Sequence, residues 1–156
     1  MKQLAFDSEL GVLQLTEEQG SIVGVGICVD TQAIARSEPS EILEKAAKQL
    51  EEYISGRRKA FDLPIKMQGT GFQKAVWEAM CTIPYGSTAS YSQLAAMAGS
   101  PKGARAAGSC CARNPIAIIV PCHRVITKSG GIGGYAFGIQ IKEKLLALES
   151  LYKALD

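Results

Sequence analysis

The sequence predicts an α+β fold in two parts: a small antiparallel sheet with one helix, then a mainly helical region carrying a helix-turn-helix. Three observations predict it. Residues 1–35 alternate apolar and polar positions, the period of half-buried strands. From Ser40 to Ile54 the apolar residues recur at helical spacing. Between Thr70 and Ala112 three further helical patterns are separated by turns containing Pro or Gly.

Leu4 to Phe6, Gly11 to Leu15 and Ser21 to Val29 supply the first pattern, punctuated by Glu17-Glu18 and Gly20. They read as two or three antiparallel strands joined by hairpins. Pro39-Ser40-Glu41 opens the first helix, with Ser40 as cap and Ile42, Leu43, Ala46, Leu50, Tyr53 and Ile54 on one face. Gly56 stops it. Arg57-Arg58-Lys59 complement the helix C-terminus and form a solvated loop. Asp62 to Gly71 is an extended linker, which puts a domain boundary there: residues 1–68 as an N-terminal α/β domain with its linker, residues 69–156 as the C-terminal domain.

In the C-terminal part, Phe72, Ala75, Val76, Trp77 and Met80 define a helix that ends before the turn Ile83-Pro84-Tyr85-Gly86. Cys81, at the end of this helix, is expected to pack in the core. Two short helices follow, from Ser90 or Tyr91 to about Ala98 and from about Lys102 to Ala112, with Gly99-Ser100-Pro101 between them. Two short helices around a tight glycine turn form a helix-turn-helix signature. The second is dominated by Gly103, Ala104, Ala106, Ala107, Gly108 and Ser109. A helix of such low bulk either packs closely on a neighbour or lies in a DNA groove.

Composition bounds the function. The 156 residues are 47% hydrophobic and 21% charged, a globular balance. Residues 1–68 carry 8 Lys and Arg against 11 Asp and Glu, whereas residues 69–156 carry 9 against 4. The C-terminal part is the basic part, as a nucleic-acid face requires. The N-terminus lacks the apolar core of a secretory signal, and no apolar run approaches the ~18 residues of a membrane span. Five cysteines without a disulfide rhythm imply a reducing, cytoplasmic setting. No Cys-x-x-Cys pair exists and one histidine cannot complete a zinc set, so no structural metal is expected.

The most informative stretch is Asn114-Pro115-Ile116-Ala117-Ile118-Ile119-Val120-Pro121-Cys122-His123. Its aliphatic, β-branched run reads as a buried strand, ended by Pro121, that delivers Cys122 to a turn over the core. Beyond it, Ser129 to Gly138 is a glycine-rich loop. Gly131, Gly133 and Ala136 match a dinucleotide fingerprint in form only, since no βαβ unit surrounds them. The last helix, Gln140 to about Leu151, turns Ile141, Leu145, Leu146 and Leu148 inward and carries Glu149 on that otherwise apolar face.

A thiol reacts as thiolate and has an ordinary pKa of ~8.5, so a nucleophilic Cys122 needs a proton acceptor. His123 is the sole imidazole, and adjacent residues rarely face each other, so it would reach Cys122 through a water. A carboxylate must orient that ring. Glu78, Glu143, Glu149 and Asp156 are the candidates in this half. A lone carboxylate on an apolar helix face, as at Glu149, is costly unless partnered.

The segment Ile119-Val120-Pro121-Cys122-His123-Arg124-Val125-Ile126 resembles the active-site motif of the O6-alkylguanine-DNA alkyltransferases, the methylated-DNA–protein-cysteine methyltransferases. Gly69-Thr70-Gly71-Phe72-Gln73, Val76-Trp77, Ile83-Pro84-Tyr85-Gly86, Ser90-Tyr91, Ala104-Arg105-Ala106, Arg113-Asn114-Pro115 and Gly133-Gly134-Tyr135 resemble that family in order and spacing. The resemblance covers about residues 69–150 and is weak over residues 1–68, where it implies a ribonuclease-H-like domain.

The resemblance implies direct-reversal repair of double-stranded DNA containing O6-alkylguanine. Cys122 would take the alkyl group once, as a stable thioether, with no cofactor. His123 would deprotonate Cys122 through water, Glu149 would hold the imidazole, and Asn114 would brace the network. Tyr91 would protonate the leaving guanine and assist rotation of the target's phosphate. Arg105 would fill the space of the flipped base, an extrusion the chemistry demands because a stacked base is out of reach. Lys102, Ala104, Gly108 and Ser109 would lie with Arg105 and Tyr91 against the minor groove, through phosphate contact and shape. Val125, Tyr135, Ala136, Phe137, Gly138 and Cys111 would form the base pocket, and the protein would act as a monomer.

Two departures from the family pattern stand out. Phe137 replaces a small residue in the loop after Tyr135, so benzyl and other bulky groups are expected to react poorly. The N-terminal zinc ligands of some members are missing. Three alternatives stay open: an alkyltransferase-like lesion binder, which would lack the acceptor cysteine; a helix-turn-helix regulator, which would need base-reading side chains along its second helix; and a cysteine hydrolase, which would turn over. All three imply an unmodified Cys122 after reaction. The sequence demands, above all, an ionised sulfur at the lip of a cavity.

Overall fold

The computed structural model describes residues 1–28 and 40–155 of the chain. The expected reach of the third strand to Val29, the helix opening at Pro39, and the candidate carboxylate Asp156 lie outside the described residues. The chain divides into two compact units. The first is Met1–Met67 with Pro115–Ala117, and the second is Gln68–Asn114 with Ile118 onward.

In the first unit, strands β1 (Lys2–Ser8), β2 (Gly11–Glu18) and β3 (Ser21–Cys28) form an antiparallel sheet in the order β1-β2-β3. The turn between β2 and β3 is the two-residue Gln19-Gly20 loop, with φ of 51° and 81°. Two successive positive φ angles match the twist of the flanking strands, which is why glycine stands in this turn. Helix α1 (Glu41–Ile54) starts at Ser40, whose hydroxyl accepts from the Leu43 N–H at 3.2 Å. Its Leu43, Ala46, Leu50 and Tyr53 are buried, as are Leu13, Leu15, Ile22, Val25 and Ile27 of the sheet. The Gln49 amide, also buried, ties the helix to the following segment through Asp62 O at 3.1 Å and Asp62 N at 2.9 Å. The outer edge of β3 is covered at two points by single parallel bridges, Ile22 with Ile65 and Val25 with Ile116. Covering an edge strand removes a template for unwanted pairing.

The second unit is mainly helical. Helix α2 (Gly71–Cys81) has a capping box in which Thr70 and Gln73 exchange side-chain bonds with each other's backbone N–H. Strand β4 (Ala89–Ser90) leads into α3 (Tyr91–Met97), whose Ser90 and Gln93 repeat that box. Gly99, at φ 88°, turns the chain, and α4 (Ala104–Ala112) packs on α3 to complete the helix-turn-helix. Lys102 lies in the turn rather than in α4. A 3₁₀ turn (Cys122–Arg124) precedes β5 (Val125–Ile126), which pairs in parallel with β4. Helix α5 (Ile139–Tyr152) follows Gly138, at φ 104°. Trp77, Met80, Leu94, Ala107, Val120 and Leu145 are among the buried residues of this second unit.

Two expectations fail. Ile116 to Val120 is not a strand: beyond the one bridge at Ile116 the backbone turns, with Ile118 at φ 70°. A buried apolar run reports burial, and a turn inside the core buries it as well as a strand does. A β-branched residue at positive φ costs about 1–3 kcal/mol, which the surrounding packing must offset. Cys81 is exposed, not core.

The chain's one tryptophan, Trp77, is 2% exposed and donates from Nε1 to Cys110 O at 2.9 Å. A Cβ at Gly69 would stand 2.7 Å from the Trp77 ring and from Gln73 Oε1. Gly69→Ala should therefore destabilise the protein by about 1–3 kcal/mol, seen as a lower urea midpoint by tryptophan fluorescence. An unchanged midpoint would mean that the ring moves aside freely.

Candidate active site

Cys122 sits where the turn after Ile118 meets the 3₁₀ turn, and its residue is only 6% exposed. It lines a cavity of about 340 Å³ together with Tyr91, Gly108, Cys111, Ala112, Gly134, Tyr135 and Ala136. Three elements converge there: Tyr91 from the start of α3, Gly108 to Ala112 from α4, and the glycine loop before α5. Gly133 is forced to be glycine, since it has φ 73° and a Cβ would stand 2.7 Å from the Tyr91 hydroxyl.

Asn114 Nδ2 donates to Val120 O at 2.7 Å and to Cys122 Sγ at 3.2 Å. One amide thus fixes the turn that carries the thiol and touches the thiol itself. His123, fully buried, meets Glu149 through Nε2 and Oε2 at 2.7 Å. Glu149 is 1% exposed. It also accepts from Arg124 Nε at 2.8 Å, Arg124 Nη2 at 3.0 Å and the Gly86 N–H at 3.1 Å. Lys142, equally buried, donates from Nζ to Val125 O at 2.6 Å and Gly134 O at 3.0 Å. Those bonds pin the glycine loop to β5.

Burial sets the protonation states. It pushes the Cys122 thiol pKa up, against the Asn114 amide and the Lys142 ammonium, which pull it down. Burial pulls the His123 imidazole below its ordinary value; Glu149 opposes this, and Arg124 and Lys142 reinforce it. Burial raises Tyr91 and Tyr135, and carries Cys111 up to about 12. At neutral pH the resting pair is therefore a neutral thiol and a neutral imidazole. The ionised sulfur expected at a cavity lip is instead a protonated one in a cavity wall, because desolvation outweighs both stabilising partners.

The structure brings Cys122, His123, Asn114 and Glu149 into one network, and Tyr91, Cys111, Tyr135 and Ala136 into the cavity lining with Cys122. Val125, Phe137 and Gly138 do not line it. Val125 is buried in β5, Gly138 caps α5, and Phe137 stacks edge-on to Tyr135 with centroids 5.7 Å apart. Phe137 thus meets the cavity only through Tyr135, which lines it. Along α4, Arg105 and Ser109 are exposed, Ala104 and Gly108 are half-buried, and Lys102 is exposed in the preceding turn. Arg124 and Lys142 were not singled out from the sequence. Lys142 could have been, since it precedes Glu149 by seven residues on one helical stripe. Arg124, beside the histidine, offers no comparable signal. Among the described residues no group of three or more His, Cys, Asp or Glu could hold a metal ion, and no helix is long and apolar enough to cross a membrane.

A buried cysteine in a cavity walled by the second helix of a helix-turn-helix defines the class: a thiol site built into a helix-turn-helix fold. Comparison with known proteins narrows it. Residues 71–151 match the family model described as 6-O-methylguanine DNA methyltransferase, DNA binding domain, and residues 1–67 match its ribonuclease-like domain. A methylated-DNA–protein-cysteine methyltransferase of Methanosarcina acetivorans is 43% identical over 92% of this chain and 95% of its own. One from Methanosarcina barkeri is 52% identical over 72% of this chain and 71% of its own. The crystal structure of Mycobacterium tuberculosis OGT in complex with DNA superposes with a TM-score of 0.89 at 39% identity, covering 97% of this chain and 94% of that one. The chain belongs to the 6-O-methylguanine DNA methyltransferase family.

Proposed function

We propose that this protein repairs DNA by direct reversal, moving the alkyl group of O6-alkylguanine onto Cys122 in a single turnover. The observation that carries this is Cys122 in the wall of the cavity, held by Asn114 and followed directly by the His123–Glu149 pair. His123 takes the thiol proton, through water. The sulfur then attacks the alkyl carbon, the S–C bond forms as the C–O6 bond breaks, and guanine leaves. Tyr91, whose hydroxyl burial keeps protonated, gives guanine its proton. The thioether is stable, so each molecule acts once, as a monomer, and no cofactor enters the balance. Residues 1–68 and 69–156 are the proposed N-terminal and DNA-binding domains.

DNA lies against the exposed side of α4, where Ala104, Gly108 and Ser109 allow close approach and Lys102 meets phosphate. Arg105, exposed on the first turn of α4, takes the place of the flipped base. Arg105→Ala should slow repair of duplex DNA by about tenfold or more while sparing reaction with free O6-methylguanine. Equal losses on both substrates would remove the wedge role. The whole assignment is tested by incubating the protein with excess duplex carrying one O6-methylguanine and weighing the intact chain. One added methyl, mapped to Cys122, is expected. An unmodified chain or continued turnover would overturn it, and the lesion-binder, regulator and hydrolase alternatives would return.

A further inference from the structure

Glu149 accepts four hydrogen bonds while almost fully buried, and two of them come from one guanidinium. Arg124 Nε reaches Oε1 at 2.8 Å and Nη2 reaches Oε2 at 3.0 Å, so the fork spans both carboxylate oxygens. Its third nitrogen, Nη1, donates to Ile83 O at 2.7 Å, and the guanidinium carbon stands 5.7 Å from the Tyr85 ring centroid. The fork is therefore anchored independently of the carboxylate it holds. Glu149 has somewhere else to go. It also lines a second cavity, of about 330 Å³, with the hydroxyl-bearing residues Ser87, Thr88 and Ser150. Rotation toward those hydroxyls would strip His123 of its partner at Nε2.

We propose that Arg124 is a positioning residue for the alkyl transfer: by assigning both oxygens of Glu149 it keeps that carboxylate on His123 and His123 able to accept the Cys122 proton. The inference rests on the transfer reaction proposed above. Its charge matters as well as its shape. The charged groups acting on His123 are Glu149 and Lys142 from α5, and Arg124 from its own turn. Removing the Arg124 charge would remove one of the two cations that hold the imidazole's pKa down, and a raised imidazole pKa favours its protonated form. A protonated imidazole cannot take another. In the tautomer that donates from Nε2, Nδ1 is the acceptor nitrogen, and it must be unprotonated when the thiol ionises.

The chain's single histidine allows a direct test. The imidazole resonances of full-length protein are titrated in wild type and Arg124→Lys, alongside single-turnover methyl transfer from duplex DNA across pH 5 to 9. Lysine keeps a charge but loses the fork. In Arg124→Lys the carboxylate is no longer fixed on His123, so the imidazole titration is expected to move down by about one pH unit and the transfer rate to fall by about tenfold or more. Glu149→Gln, which removes the carboxylate charge, should move the imidazole titration the same way. A lower rate at every pH with an unmoved imidazole titration would overturn the proposal, leaving Arg124 as packing alone. Should Arg124→Lys fail to fold, the same titration is made in Arg124→Gln: a moved imidazole supports the positioning role, and an unmoved one overturns it. Failure of wild type to accept methyl would instead strike the transfer reaction itself.

Discussion

Cys122→Ser is expected to bind duplex DNA carrying O6-methylguanine as tightly as wild type and to gain no methyl. Serine matches cysteine in shape, so the cavity and the Asn114 amide keep a partner of similar size. An alcohol is a far weaker nucleophile than a thiol, because so little alkoxide forms near neutral pH. Binding and reaction should therefore separate completely. Electrophoretic mobility of the complex and intact mass after overnight incubation measure the two halves. A methyl still gained by the variant would relocate the acceptor, with Cys111 in the same cavity as the first place to look.

The next largest effect is expected from Asn114→Ala. Its amide donates to a sulfur that becomes negatively charged during the reaction, and a hydrogen bond to a charged group contributes about 1.5–3 kcal/mol. Loss of that bond corresponds to a rate lower by about 10–10²-fold. The variant also leaves the Val120 carbonyl without its 2.7 Å donor, which costs a further 1–3 kcal/mol or so of stability. The two effects are separable. Single-turnover rates at saturating protein report the first, and urea midpoints report the second. Asn114→Asp should be slower still, since a carboxylate beside the sulfur opposes its ionisation. Asn114→Asp reacting at the wild-type rate would exclude a role for the amide in stabilising the thiolate.

Much of this was legible in the sequence, and the reasons are local. Ser40 was legible as a helix start because capping is decided within four residues, and it caps as read; Thr70 and Ser90, which stood at the expected helix starts, cap as well. Glu149 was identifiable because an isolated carboxylate on an apolar stripe must find a partner, and it finds three groups. The turn at Ile118 was not legible. Its residues favour an extended backbone, and only packing against the rest of the core imposes φ 70° there. The protonation state of Cys122 was hidden for the same kind of reason. Residue type suggests a reactive thiol, but desolvation, which no short motif encodes, decides its charge. Arg124 and Lys142 read as ordinary basic residues until their buried carbonyl and carboxylate acceptors are in view.

Pro115–Ala117 belong with the sheet unit although the chain reaches them only after most of the helical unit. The Val25 N–H is taken by Pro115 O at 3.0 Å, and the Ala117 N–H by Val25 O at 3.1 Å. Such pairing joins positions some ninety residues apart, so the loop-closure entropy falls due late. On a ribosome the N-terminal sheet would emerge long before the residues that seal its open edge. The same short peptide that finishes the sheet runs straight on to the acceptor cysteine.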